Sequence, residues 1–156
     1  MKLDARQEAL LKRTFLDYQQ TTAFIENPII VNKAEGLYYW DVEGKRYFDG
    51  IGGIFVAILG HQHPRVIEAV HRQMDQLTLA LPMHGIADVS LDFVERMSAV
   101  TPGELNFVKS YSGGSESMES AMKFTRQYFK QTGHPGKYKF VSRYYGYHGG
   151  TFGAMA

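Results

Sequence analysis

The chain has 156 residues, 44% hydrophobic and 21% charged, a globular rather than a disordered composition. Its 17 basic and 16 acidic side chains leave a net charge of +1, too balanced for a nucleic-acid binder driven by a basic stripe, and the lack of cysteine excludes disulfides, cysteine-ligated zinc, iron–sulfur clusters and thiol catalysis. No apolar run approaches the ~18–20 residues of a membrane span and the first residues lack the apolar core of a signal peptide, so the expectation is a soluble, cytoplasmic protein with neither nucleic-acid nor membrane partners.

Residues 7–20 are predicted helical, with Leu11, Phe15 and Tyr18 at i, i+4 and i+7. The stretch 28–33 predicts a short extended segment. Residues 36–49 predict a hairpin, in which strand-like 37–40 and 46–48 flank the polar turn Asp41-Val42-Glu43-Gly44-Lys45. The apolar run 51–60 is broken by Gly52 and Gly53, which disfavours a strand and suits a loop lining a cavity. His63-Pro64 opens a helix whose apolar face is Val66, Ile67, Val70, Met74 and Leu77. After a linker at 80–85, a helix over about 87–100 carries Leu91, Val94 and Met97 and stops at Thr101-Pro102-Gly103. A strand is predicted at 105–111 and a turn at Ser112-Gly113-Gly114-Ser115. A long helix at about 115–131 follows, striped with Met118, Ala121, Met122, Thr125 and Phe129. Gly133 and Pro135 end it, and 138–142 predict a second strand. The later half therefore alternates helix and strand, an α/β pattern. Two strands cannot form a buried parallel sheet, and the last residues are small and apolar. The expectation is that these residues begin a longer protein.

The strongest chemical signal is the strand–Ser112-Gly113-Gly114-Ser115–helix turn. A helix N-terminus offers free N–H groups and partial positive charge to an anion. Two glycines admit it to the backbone, and the Ser115 hydroxyl can donate. A phosphate fits; so does a plain turn with Ser115 as N-cap. A nucleophile elbow is the mechanistic rival, because Gly113-Gly114-Ser115-Glu116-Ser117 misses G-x-S-x-G only at its last position. A second signal is Tyr147-His148-Gly149 after a strand, where an aromatic ring can stack on a planar ligand or simply pack. His61, His63 and His148 lack an accompanying acidic cluster, so no metal site is expected.

In order along the chain, these segments resemble the N-terminal portion of the class III aminotransferases, pyridoxal-phosphate (PLP) enzymes of fold type I. Gly36-Leu37-Tyr38-Tyr39-Trp40-Asp41 with Gly44-Lys45-Arg46-Tyr47-Phe48-Asp49 is similar to the family's opening hairpin. Gly60-His61-Gln62-His63-Pro64 is similar to its G-H-x-x-P, Ser112-Gly113-Gly114-Ser115-Glu116 to its phosphate turn N-S-G-[ST]-E-A, and Tyr147-His148-Gly149-Gly150-Thr151 to its Y-H-G-x-T. Gly113 stands where the family often has Ser, and Ser117 where it often has Ala. The resemblance implies an incomplete α/β fold. Residues 1–60 would be an N-terminal segment of helix, hairpin and Gly-rich loop from the small domain. Residues 61–156 would start the PLP-binding large domain with its first strands and helices.

It also implies roles. Gly114 and Ser115 would hold the PLP phosphate, with Gly113 permitting its approach. Tyr147 would stack on the pyridine ring, with His148 and Gly149 shaping that wall. Gly53 and Phe55 would line the substrate side. The family's dimers imply that the 81–84 segment reaches a neighbour's site. The implied reaction is amino transfer between an amine or amino acid and a keto acid. Another PLP reaction, such as an aminomutase or decarboxylase, stays open. The family's Schiff-base lysine and its pyridine-pairing aspartate lie beyond residue 156, so these residues hold anchoring and stacking groups and no catalytic residue. Alone they are expected to be inactive.

Overall fold

The computed structural model describes residues 3–81 and 83–155. They divide into two compact units, Met1–Ala80 and Leu81–Ala156.

In the first unit, helix α1 (Ala5–Leu11) begins at a capping box. Asp4 Oδ1 accepts the Gln7 N–H at 2.7 Å and Gln7 Oε1 accepts the Asp4 N–H at 3.0 Å, so two otherwise orphaned donors are satisfied. The helix stops at Leu11, short of the predicted 7–20, and α2 (Thr21–Glu26) is separate. Phe15 and Tyr18 are 93% and 92% exposed. Among the described residues Phe15 and Tyr18 find nothing to pack against, and a short helix without tertiary packing is marginal.

Three antiparallel strands follow in the order β1 (Val31–Glu35), β2 (Tyr38–Asp41), β3 (Arg46–Phe48). Register pairs Glu35 with Tyr38 and Tyr39 with Tyr47. The Tyr39 and Tyr47 rings stack across the strands at 5.4 Å, the cross-strand contact that stabilises a pleated pair. The predicted turn at 41–45 is organised by buried Asp41. Its Oδ1 accepts the Glu43 and Lys45 N–H groups at 3.0 and 2.9 Å, and its Oδ2 accepts the Tyr47 hydroxyl at 2.8 Å. Gly44, at φ +82°, supplies the left-handed residue such a turn needs. Burial pushes the Asp41 carboxyl up, but the bonds from Lys45, Tyr47 and Glu43, with the Lys45 charge, bring it below its ordinary value.

The glycine-broken run is neither strand nor open loop. Its element α3 (Gly52–Phe55) has positive φ at all four residues, 55°, 57°, 55° and 68°. This is a left-handed turn, and it costs Ile54 and Phe55 about 1–2 kcal/mol each. Helix α4 (Pro64–Gln76) starts at Pro64 as expected, and its predicted face is real but unpartnered: Val66, Ile67, Val70, Met74 and Leu77 are all exposed.

The second unit holds α5 (Asp88–Val100), α6 (Gly114–Gln131) and α7 (Phe152–Met155). α6 ends at Thr132 and Gly133, the latter at φ +84°. The His134 N–H bonds the Phe129 carbonyl at 2.8 Å, the six-to-one bond of a Schellman cap. The strands predicted at 105–111 and 138–142 are not there: neither segment joins a ladder among the described residues. A strand exists only by its neighbours, and these two segments find none. Phe107 and Val141 are both 99% exposed. The first strands expected of a large domain are therefore unformed here, and the sheet that does form is the small antiparallel one. Among the described residues no helix is long and apolar enough to cross a membrane.

Candidate functional site

Gly113 is the N-cap of α6, fully extended at φ −164° and ψ 172°. Ser115 is thus the second helical residue rather than the N-cap. Among the described residues no side-chain hydrogen bond caps this helix start, so the first-turn N–H groups of Gly114, Ser115 and Glu116 stand free with the positive end of an 18-residue helix behind them. A side chain at Gly114 would meet nothing within 4 Å, so the approach there is open. Gly113 differs: a Cβ on it would lie 2.7 Å from Glu116 Oε2, so the Glu116 carboxylate curls over that position.

The segment 147–154 closes on this helix start. Gly150 N–H donates to Ser115 Oγ at 2.8 Å across 35 residues of sequence. Gly149 is buried at φ +144°. A Cβ on it would sit 2.6 Å from Ala154 Cβ and 3.1 Å from Ser115 Oγ. Only glycine lets the two backbones come this close. The Ser115 oxygen accepts the Gly150 bond and keeps its own hydrogen to donate. A nucleophilic serine needs a base to take that hydrogen; the partner here is a backbone N–H, which cannot.

Tyr147 is 77% exposed, so its ring is open to a ligand. His148 is half-buried and its Nε2 accepts the Arg143 N–H at 3.2 Å, which assigns the ring proton to Nδ1. Glu119, one turn after Ser115 on α6, was not singled out in the sequence. Its Oε1 accepts the N–H groups of Gly153 and Ala154 at 2.7 and 3.0 Å. The nearby Thr151 hydroxyl, although its oxygen makes no hydrogen bond of sound geometry, and the bonded Ala154 and Gly153 N–H groups hold the carboxyl below its ordinary value against the opposing effect of burial.

In the other unit, Gly53 and Phe55 lie in the left-handed turn α3, with Phe55 80% exposed. That turn is tied down by Asp49, which the sequence marked only as the end of the hairpin motif. Asp49 Oδ2 meets His61 Nε2 at 2.7 Å. Burial raises the Asp49 carboxyl, but the His61 ring and the Gly53 and Ile51 N–H groups outweigh it, and the net shift is downward. His61 also exchanges both backbone bonds with Gly36, at 3.0 and 2.7 Å. G-H-x-x-P thus works here as a brace: Gly60 backs against Gly36, His61 pins the loop, and His63-Pro64 starts α4. Strained backbone of this kind clusters at ligand clamps. Among the described residues no three histidine, aspartate or glutamate side chains converge as metal ligands. In the 81–84 segment Leu81, Met83 and His84 are exposed, and Pro82 lies outside the described residues.

Residues 21–156 match the family model for aminotransferase class-III. The chain belongs to the class-III aminotransferases. One relative of this class-III chain is the Mycobacterium tuberculosis protein named "Probable aminotransferase Rv3329", 39% identical over 93% of this chain and 31% of that one. The crystal structure of adenosylmethionine-8-amino-7-oxononanoate aminotransferase from Methanocaldococcus jannaschii superposes at a TM-score of 0.89, with 30% identity, over 95% of this chain and 34% of that one. An omega transaminase from Pseudomonas jessenii, solved in complex with PMP, superposes at 0.81 with 28% identity, over 91% of this chain and 32% of that one. The fold is that of the N-terminal third of such structures, and the family uses PLP. The chain spans about a third of the length of the curated relatives it matches.

A signal for Glu119 was present, since position i+4 from Ser115 shares its helix face. Nothing in the local pattern marks Asp49 as the partner of His61.

Proposed function

We propose that this chain, within a complete aminotransferase, anchors PLP for amino transfer between an amine or amino-acid donor and a keto-acid acceptor. In this reading the phosphate sits on the first turn of α6, on the Gly114 and Ser115 N–H groups and the Ser115 hydroxyl, with Gly113 permitting its approach once the Glu116 carboxylate that curls over it swings aside. Tyr147 covers the pyridine ring, and His148 and Gly149 form the wall beside it. Gly53 and Phe55 line the substrate side. The observation that carries the reading is the 2.8 Å bond from Gly150 N–H to Ser115 Oγ, which joins the phosphate-turn motif to the Tyr147-His148-Gly149 motif while leaving the hydroxyl hydrogen and an uncapped helix start for an anion.

The residues present fit a phosphorylated planar cofactor. The donors are backbone N–H groups and one hydroxyl, the opening at Gly114 is clear, and an exposed aromatic ring lies in the same loop. PLP, when bound, supplies the electron sink for amino transfer; the chain supplies phosphate anchoring and orientation. The complete enzyme is expected to show a visible cofactor band, and Ser115→Ala to weaken PLP by about tenfold or more, the worth of a hydrogen bond to a charged group. A complete enzyme with PLP affinity unmoved by Ser115→Ala and by a bulky residue at Gly114 overturns the phosphate site. A homodimer, with the 81–84 segment reaching the neighbour's site, belongs to the same reading; the solution mass of the complete enzyme tests it.

A further inference from the structure

Ser115 and Glu119 stand one turn apart on α6, and both grip the same segment. Ser115 Oγ takes the Gly150 N–H at 2.8 Å, and Glu119 Oε1 takes those of Gly153 and Ala154 at 2.7 and 3.0 Å. Between these grips the backbone has no slack. Gly149 is pressed against Ser115 and Ala154, and a Cβ on Gly153 would lie 2.6 Å from Glu119 Oε2. The Gly153 and Ala154 N–H groups belong to the first turn of α7, so the carboxylate also complements the positive end of that turn. Bonds from N–H to a carboxylate are the strong class of hydrogen bond.

We propose that Glu119 is a positioning residue of the cofactor site: it fixes the register of 149–154 on α6, and so sets where Tyr147 and the Gly150 N–H stand relative to the Ser115 hydroxyl. The proposal rests on the reading of the helix start as the phosphate site. Glu119 touches no cofactor itself. It acts through the loop, so its removal misorients the ring-facing tyrosine as well as loosening the phosphate turn.

The test uses the complete enzyme, with PLP as the probe and three variants. Glu119→Ala removes both acceptors. Glu119→Gln keeps an acceptor oxygen without the charge. Gly153→Ala forces the carboxylate aside while leaving it present. Two quantities are read: PLP affinity, and the visible circular dichroism of bound PLP, which reports ring orientation. Glu119→Ala and Gly153→Ala are expected to weaken PLP by about tenfold, the usual cost of losing an outer-shell orienting group, and to alter the dichroism. Glu119→Gln is expected to restore most of both. Unchanged affinity and dichroism in Gly153→Ala or in Glu119→Ala overturn the role of Glu119 while PLP binding by the unsubstituted enzyme keeps the site itself. Loss of affinity in Glu119→Ala with unaltered dichroism and no rescue by Gln also overturns it, since that is mere loosening. An unsubstituted enzyme that binds no PLP overturns the site and the proposal together.

Discussion

Gly149 has no room for a side chain, and that sets a sharp expectation. A methyl there would sit 2.6 Å from Ala154 Cβ on backbone at φ +144°. Gly149→Ala is expected to cost about 2 kcal/mol, the scale of overpacking plus backbone strain, read as a lower urea midpoint of the complete enzyme. Gly114→Ala meets open space, so it should leave stability within about 0.5 kcal/mol and instead weaken PLP. At this scale the sequence was readable in part. Two glycines and a serine marked the start of α6, where the structure has its N-cap at Gly113. That Gly113 rather than Ser115 is the N-cap, and that Glu116 curls over Gly113, depends on backbone angles that no residue pattern specifies. The contacts of Asp49 and Glu119 were not legible for another reason: their partners lie 12 and 34–35 residues away.

Among the elements, the left-handed turn α3 stores strain that can be tested. Ile54→Gly removes the Cβ clash at φ +55° from a largely exposed residue. It is expected to raise stability by about 1 kcal/mol, measured by urea unfolding, and to loosen the segment carrying Phe55. The hairpin should respond to pH on both sides. The Asp41 carboxyl is lowered in the folded state, so its contribution is present above the ordinary carboxylate range and lost as pH falls below about 4. The Tyr47 hydroxyl is raised, chiefly by its bond to Asp41. Its contribution is therefore full below about pH 10 and lost as pH rises through the folded value. Urea midpoints of the complete enzyme against pH should fall at both ends, and Asp41→Asn should flatten both arms. Helices α4, α5 and α6 were legible from their apolar spacing, and the hairpin from its turn. The predicted 7–20 helix beyond Leu11 and the strands at 105–111 and 138–142 were not realised, because those patterns ask for neighbours that the described residues do not provide.

For the whole molecule, the dominant fact is how little is buried. Among the described residues Ala154 is the buried hydrophobic side chain, while Val66, Val70, Leu91, Phe107 and Val141 stand in water. Apolar faces left open to water invite association. The 156 residues expressed alone are expected to bind a hydrophobic dye and to associate, as read by fluorescence and sedimentation, whereas the complete enzyme should do neither to the same degree. A monomeric, dye-silent 156-residue chain would contradict this. The match to about a third of each relative's length is consistent with faces that the remainder of a class-III fold would cover.

Local chemistry was determined by the sequence alone: amphipathic spacing, turn residues, and the glycine and serine pattern at the start of α6, all set by contacts within a few residues. Tertiary structure alone decided which distant groups meet. Gly150 reaches Ser115, Glu119 reaches Gly153 and Ala154, and Asp49 reaches His61, while two strand-like segments stay unpaired. The reason is physical: a hydrogen bond across tens of residues depends on where the intervening chain runs, and a strand depends on a neighbour that its own residues do not contain.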